Sequence, residues 1–499
     1  MPSSTPFPPT ATATLPAPDG TFFGAQLLTD DFVPAVLDRL EGAGASYARL
    51  QVQWRYIEPF DTGTPNFNWV SDGPIDEVVD AGLAPIINVF GHPPWAATRA
   101  CGPIDLAPMS RWEAFVQALV ERYDGDGVGD APGSPRIEYW EIGNEQDFNP
   151  DQAGGEGDYG SCFGGAGRAD YGDYLRAAYR AAKAADPTSR IVFGGVAYDR
   201  FYNKSDYDPG HSGPFDYRFV RNVLLHLHTA YGHEPEWPFF DVMSVHVYND
   251  FRSNWDGVQP YNQELVGKVK AFRTDELVRA GVYDLNGMPL AITEASLRSF
   301  PSDEWTIRSE AYQASYPGRI AARALSAGVE LSVWFSAEDH VIGTCGAPTT
   351  WQGHGLLRGL DIYEAMQACP TSPVPEYHVD VDHEPKPALG AVETASRLLS
   401  NASFDRQLTS GETGSSKTEA YRFVESGGGD LVVAFTDTGE RIGARSKPPI
   451  TRQMIFNSSI LRGWTGAVEV TDHLGGTTTY FGSEIVLTIG QAPIFVRPD

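Results

Sequence analysis

Eight short runs rich in Val, Ile, Leu and Phe recur between residues 22 and 335, with helix-periodic segments between them. The runs are 22–26, 47–52, 84–90, 137–142, 191–194, 242–247, 290–293 and 331–335. Helical spacing of apolar residues marks 33–43, 111–123, 171–184, 217–231, 263–280 and 310–327. A strand that is apolar almost throughout is covered on both faces, as parallel strands flanked by helices are. Eight such strands in alternation with helices predict a closed parallel (β/α)8 TIM barrel. An open doubly wound sheet is the alternative, but no Gly-rich phosphate loop follows the first run, which counts against a nucleotide-binding version.

The pattern changes near residue 395. From there, alternating segments at 420–424, 430–436, 454–456, 467–471, 477–481, 484–489 and 493–496 are separated by Gly-rich turns. Short alternating strands of this kind predict a C-terminal β-sandwich. The expected division is a Pro/Thr/Ala-rich linker at 1–20, a catalytic barrel at 21–395 and a β-sandwich accessory domain at 396–499. A structural role on the barrel's flank is the favoured reading for that last unit, ahead of carbohydrate binding.

Charge narrows the partners. With 65 Asp and Glu against 37 Lys and Arg the net charge is −28, which argues against nucleic acid and against an anionic membrane surface. No apolar run approaches the roughly 20 residues needed to span a bilayer. Aromatic residues are 12% of the chain, enough to supply flat faces for sugar rings or simply to pack a large barrel. The four cysteines allow three pairings; Cys101 with Cys162 and Cys345 with Cys369 would staple loops at one face, in an oxidising, secreted or extracellular setting. Sequons at Asn203, Asn401 and Asn457 carry little weight without evidence of a eukaryotic secretory route.

Barrel enzymes place their chemistry at the C-terminal ends of the strands. Strand two carries Arg49, strand three ends at His92, strand four at Asn144 and Glu145, strand six at His246 and Tyr248, strand seven at Glu294, strand eight at Trp334. Two carboxylates thus face each other across the mouth, on strands four and seven. A glycosidase needs this pair: one carboxylic acid protonates the departing oxygen while a carboxylate attacks the anomeric carbon. Glu141, four residues before Glu145, is read as a structural hydrogen-bonding acid in the barrel layers. Trp54, Trp95 and Trp351 are candidate further sugar platforms, each equally readable as loop packing. No Cys/His zinc pattern occurs, and the clustered His and Asp ligands that a metal-dependent barrel enzyme would use are not evident. Neither metal nor organic cofactor is expected.

The stretch YWEIGNEQD at 139–147, with VHVY at 245–248, ITEAS at 292–296, WFSAED at 334–339 and HEPKPALGA at 383–391, resembles the clan A retaining glycoside hydrolases. It is most similar to family 39, with family 5 cellulase-like enzymes next. The resemblance implies Glu145 as acid/base and Glu294 as nucleophile, with Asn144 on the hydroxyl next to the anomeric carbon. It implies that Arg49 and Tyr248 hydrogen-bond Glu294, that His246 and His92 line the reacting subsite, and that Trp334 lies under the sugar. On this reading Arg49 and the phenol lower the pKa of Glu294, while the neighbouring carboxylate raises that of Glu145. Two departures stand out: Gln146 occupies a position where Pro is common, and Gly143 one where a bulky aromatic is frequent.

The implied activity is hydrolysis of β-type bonds in plant or microbial oligosaccharides or polysaccharides by double displacement, with xylosidase-like removal of terminal sugars slightly favoured. Internal cleavage and transglycosylation use the same two carboxylates and remain open. A non-catalytic carbohydrate-binding protein is the alternative of another class.

Overall fold

The structure is a computed structural model that describes residues 22–28, 31–153, 160–197, 215–216, 218–248, 265, 269, 287–299, 309–339, 353–359, 383–436 and 450–499. The stretch at 1–20, most of the helix expected at 263–280, and Asn203, Cys345, Trp351 and Cys369 lie outside these residues.

Eight parallel strands close into a barrel in sequence order: β1 (Phe23–Gln26), β2 (Tyr47–Gln53), β3 (Ala84–Phe90), β4 (Tyr139–Asn144), β5 (Arg190–Val196), β6 (Val242–Tyr248), β7 (Leu290–Ser296) and β8 (Val329–Trp334). Side chains alternate between the barrel interior and the helical layer. Tyr47, Ile86, Tyr139, Val192, Val242, Ala291, Leu331 and Val333 form one buried apolar cluster that fills the bottom of the interior. Their neighbours, such as Leu50, Ile87, Ile142, Phe193 and Met243, belong to the larger cluster shared with the helices. Above the apolar floor the inward positions turn polar: Gln26, Arg49, Asn88, Glu141 and Ser244 are all fully buried. This polar layer explains why β4 and β7 run past the apolar runs that predict them. β4 continues two residues beyond Ile142 and β7 four beyond Ile292, because polar partners inside the barrel satisfy the next ones.

The described barrel helices include α1 (Pro34–Gly42), α2 (Asp72–Asp80), α3 (Met109–Arg122), α4 (Arg168–Ala185), α5 (Phe219–Tyr231), α6 (Tyr316–Ser326) and α7 (Pro387–Leu399). Each buries one stripe, for instance Trp112, Phe115, Val116 and Leu119 on α3. The single helix expected at 310–327 is two. A short turn of helix, Glu310–Ala314, ends at Ser315, and α6 restarts with Pro317 in its first turn, where the missing N–H costs nothing. No described helix is long and apolar enough to cross a membrane.

After α7, which packs into the barrel cluster through Ala388, Val392, Ala395 and Leu399, the chain forms two antiparallel sheets. Strands β9 (Ala402–Gln407), β10 (Thr418–Glu425), β11 (Asp430–Thr436), β12 (Arg452–Phe456), β13 (Ala467–Asp472), β14 (Thr477–Phe481), β15 (Ile485–Ile489) and β16 (Ile494–Pro498) give a six-stranded sheet in the order β9-β10-β11-β16-β13-β14, and the pair β12-β15. Strand β9 has no counterpart among the expected strands: its residues are half-buried or exposed, so it carries no apolar alternation to read. Strand β11 is buried on both faces. Leu431, Val433 and Phe435 join the barrel cluster, while Val432 and Ala434 join the cluster shared with Met454, Phe456, Leu487 and Ile489 of the second sheet.

The barrel and the sheet are also tied by charge. Arg323 on α6 donates through Nε (2.9 Å) and Nη2 (2.6 Å) to the two oxygens of Glu419 on β10, with Tyr421 adding a hydroxyl at 2.8 Å. Both charged groups are almost fully buried, so each depends on the other for solvation. Arg323→Ala should therefore destabilise the protein by about 3–5 kcal/mol, read as a lowered urea midpoint, whereas Arg452→Ala, at an exposed position, should leave the midpoint in place.

Candidate active site

The polar layer is organised around Arg49, fully buried on β2. Its Nε donates to Glu141 Oε2 (2.6 Å), Nη1 to Gln26 Oε1 (2.5 Å) and to Glu294 Oε1 (2.8 Å), and Nη2 to Asn144 Oδ1 (2.7 Å). One guanidinium thereby fixes groups from β1, β4 and β7. Glu141 takes the structural role expected of it: its second oxygen accepts from the Gly195 amide (2.9 Å) and from Ser244 Oγ (3.2 Å).

Glu294 stands directly above Arg49, and Tyr248 donates its hydroxyl to the other carboxylate oxygen at 2.6 Å. Strict alternation from the inward Ala291 would send Glu294 outward. The register between β6 and β7 shifts by one residue after Val245, so that His246 pairs with Glu294. This bulge turns Glu294 into the barrel. Burial pushes its carboxyl above the usual carboxylate range, against the pull of the Arg49 guanidinium and the Tyr248 hydroxyl. The sequence-based expectation of a lowered value is thus reversed, because the cost of desolvation exceeds what the two donors return. Burial likewise raises the Tyr248 phenol, assisted by the Glu294 charge beside it. Arg49 stays charged, since its two carboxylate partners outweigh its own desolvation.

Glu145 follows β4 in a left-handed conformation, φ 50°, and its amide donates to the Gly195 carbonyl at 2.9 Å. His246 Nδ1 lies 2.9 Å from Glu145 Oε1 and 3.5 Å from Glu294 Oε2, so the imidazole sits between the two carboxylates. Gly195 makes room for that ring: a Cβ there would come within 2.1 Å of His246 Nε2. The two departures noted at 143 and 146 form one local solution. Gly143 has φ 86°, a conformation that a bulky residue resists, and the space beside it holds Tyr171, Ser161 and the Gln146 side chain. Gln146 Nε2 in turn bonds the Gly194 carbonyl at 2.5 Å.

Arg49, Asn144, Glu145, His246, Tyr248 and Glu294 are therefore brought together at the mouth. His92 and Trp334 are not. His92 is 2% exposed within a nest of Trp54, Trp112, Phe163 and Tyr174 in the helical layer, where burial lowers its pKa to about 4. Trp334 points outward from β8 into the helical cluster, edge-on to Tyr316 of α6, with its indole N–H on the His354 carbonyl at 2.7 Å. The next residue, Phe335, takes the position expected of Trp334, its ring 6.1 Å from that of Tyr248. His354 also contributes: Nδ1 meets Ser296 Oγ at 2.7 Å, and its ring lies edge-on to Tyr248. No motif in the sequence marks His354, which reaches the site from the loop after β8. The tryptophans after β2 and β3 pack as well: Trp54 is fully buried, and Trp95 bonds the Glu58 carbonyl under the Arg111 guanidinium.

A disulfide joins Cys101 and Cys162, tying the loop after β3 to the loop after β4 across 61 residues of sequence. In the chain-entropy account such a closure is worth about 4 kcal/mol. It lies behind Asn144 and Glu145, whose loop it helps to hold; Ser161, next to Cys162, bonds the Asn144 amide at 3.1 Å.

Glu145, His246 and Glu294 present ligand atoms within 4.8 Å of one another, a spacing that could also surround a cation. This clustering at strand ends is invisible in the sequence, where no metal set is evident. Among the described residues the fixed positive charge at the trio is the Arg49 guanidinium, already in contact with Glu294.

The raised pKa of Glu294 has a consequence for stability. The folded protein holds this proton above the pH at which the unfolded chain, near 4.5, releases it, so stability from this group falls as pH rises through the folded-state value. Glu294→Gln should raise the thermal midpoint at pH 7 relative to wild type, and the difference should shrink as the pH is lowered. A variant less stable than wild type at neutral pH would contradict this account.

No family model matches the sequence, and no curated protein matches it. Solved structures do. A family 39 glycoside hydrolase from the gut symbiont Bacteroides cellulosilyticus WH2 superposes with a TM-score of 0.61 at 16% identity, covering 96% of this chain and 81% of that one. A glucosidase from Croceicoccus marinus gives 0.57 at 14% identity, covering 96% and 95%. A family 30 subfamily 8 xylanase from Clostridium acetobutylicum gives 0.55 at 11% identity, covering 96% and 97%. The chain therefore shares the fold of clan A glycoside hydrolases over nearly its whole length.

Proposed function

We propose that the protein is a retaining glycoside hydrolase that cleaves β-type bonds in plant or microbial glycans, with Glu294 as nucleophile and Glu145 as acid/base. The observation that carries this reading is the separation of the two carboxyl groups. Their nearest oxygens lie within 4.8 Å, close to the 5–5.5 Å of a double displacement and short of the roughly 6.5–9.5 Å that leaves room for a water in inversion.

In the first step Glu294, held by Arg49 and Tyr248, attacks the anomeric carbon while Glu145 gives its proton to the leaving oxygen. The ester that forms removes the negative charge of Glu294. Glu145, now a carboxylate with the His246 imidazole at its oxygen, takes a proton from water, which opens the ester. Asn144, fixed through Oδ1 by Arg49, donates its amide to the hydroxyl beside the anomeric carbon, and Phe335 supplies the apolar wall in the place expected of Trp334. Release of terminal sugars is the proposed mode. We read the two C-terminal sheets as a β-sandwich accessory domain whose packing on α6 makes its role structural. The Cys101–Cys162 bridge supports an oxidising, extracellular setting.

The test is a panel of aryl glycosides and of plant and microbial polysaccharides, with the first-formed anomer followed by NMR. Wild type should release products that retain the anomeric configuration. Glu294→Ala should abolish turnover, and Glu145→Ala should slow it by about 10²–10⁴-fold. An inverted product would overturn the nucleophile assignment. Gly195→Ala, which displaces His246 without touching either carboxylate, should lower kcat by at least about 10²-fold with little change in the folded-state circular dichroism.

A further inference from the structure

Strand β2 continues past Arg49 in a way the catalytic pair does not use. Gln51 and Gln53 follow on the same side of the strand, roughly 7 and 13 Å further toward the mouth. Gln51 is exposed and Gln53 half-buried. Among the described residues the buried Oε1 of Gln53 has no hydrogen-bond partner, and neither has the buried Nε of Arg55, two residues on. Arg55 forms no ion pair with any described residue, although the chain carries 65 acidic side chains. Its guanidinium lies 4.9 Å from the ring of Tyr56, which is 56% exposed. Leaving a buried amide oxygen and a guanidinium N–H unmatched costs free energy, and it gives the end of β2 more polar groups than the fold itself pairs.

That place is concave. Gln51, Gln53 and Tyr56 line a groove of about 280 Å³ whose other wall is Leu28, Phe32 and Val70, from the loops after β1 and β2. All of these stand on the face of the barrel that holds Glu145 and Glu294. The groove combines the amides of Gln51 and Gln53, the rings of Tyr56 and Phe32 and an apolar wall, with the Arg55 guanidinium beside the Tyr56 ring. A sugar residue has the matching surface: hydroxyls around its edge for the amides and guanidinium, and an apolar face of C–H groups for the ring.

We propose that Gln51, Gln53, Arg55 and Tyr56 form a second sugar subsite, which takes a residue of an oligosaccharide one or more units from the bond cut at Glu145 and Glu294. The proposal rests on the glycosidase reading above and deepens it: the substrate is at least two sugars long, and part of its binding energy is collected on β2. Trp54 is fully buried, so the aromatic surface of this subsite comes from Tyr56 and Phe32.

The experiment compares kcat/KM for the aryl monoglycoside that wild type cleaves with that for the aryl glycoside of the corresponding disaccharide and trisaccharide. Wild type should gain at least about tenfold on lengthening, and in Tyr56→Ala, Gln53→Ala and Arg55→Ala that gain should collapse toward one. Gln51→Ala, at an exposed position that folding tolerates, gives a second reading of the same ratio. A ratio that the variants leave at the wild-type value, including an equal loss on short and long substrates, overturns the subsite while leaving the glycosidase standing. Failure of folded wild type to cleave any glycoside overturns the glycosidase reading, and the subsite with it.

Discussion

A single buried guanidinium determines how the upper half of this barrel is built. Arg49 uses four of its five N–H groups on Glu141, Gln26, Glu294 and Asn144, reaching strands β1, β4 and β7 from β2. A cation so enclosed is stable only when its donors are matched, and the carboxylates around it are stable only because it is there. The interior above the apolar floor is accordingly polar, and every inward side chain in that layer is set by a partner on another strand. The same charge orients Glu294 and turns Asn144, so the scaffold and the site share one interaction.

That arrangement leaves Glu294 under opposing influences. Its surroundings supply two strong donors yet remove nearly all water, and the removal of water dominates. A nucleophile that pays to be charged is one whose charge is more readily given up on forming an ester. The protein holds this destabilised group with buried packing elsewhere: the disulfide behind the β4 loop, the glycines at 143 and 195 that make space for neighbouring side chains, and the barrel-to-sheet contact through Arg323 and Glu419.

The C-terminal sheets belong to the same economy of burial. Strand β11 is apolar on every residue from Leu431 to Phe435 because both of its faces are covered, one by the barrel and one by β12 and β15. By contrast β14 is exposed along its length and β9 nearly so. Covered strands are legible through their apolar residues, and exposed β14 is still marked at 477–481 by its place after the glycines at 475 and 476; β9 has neither sign and so carries no readable pattern.

Local periodicity was sufficient to determine the eight strands, their parallel alternation with helices and the two acids at the ends of the fourth and seventh, because each depends on residues a few positions apart. It also placed Arg49 within the second strand, Asn144 at the end of the fourth and His246 and Tyr248 at the end of the sixth. Which way a side chain turns at the last residue of a strand was decided only in three dimensions. A register shift against β6 turned Glu294 inward, plain alternation along β8 turned Trp334 outward and Phe335 inward, and the packing of α3 and α4 drew His92 into an aromatic nest. The direction of the Glu294 shift was likewise beyond the sequence, since nearby donors can be named from a motif but the exclusion of water is a property of the whole closed barrel.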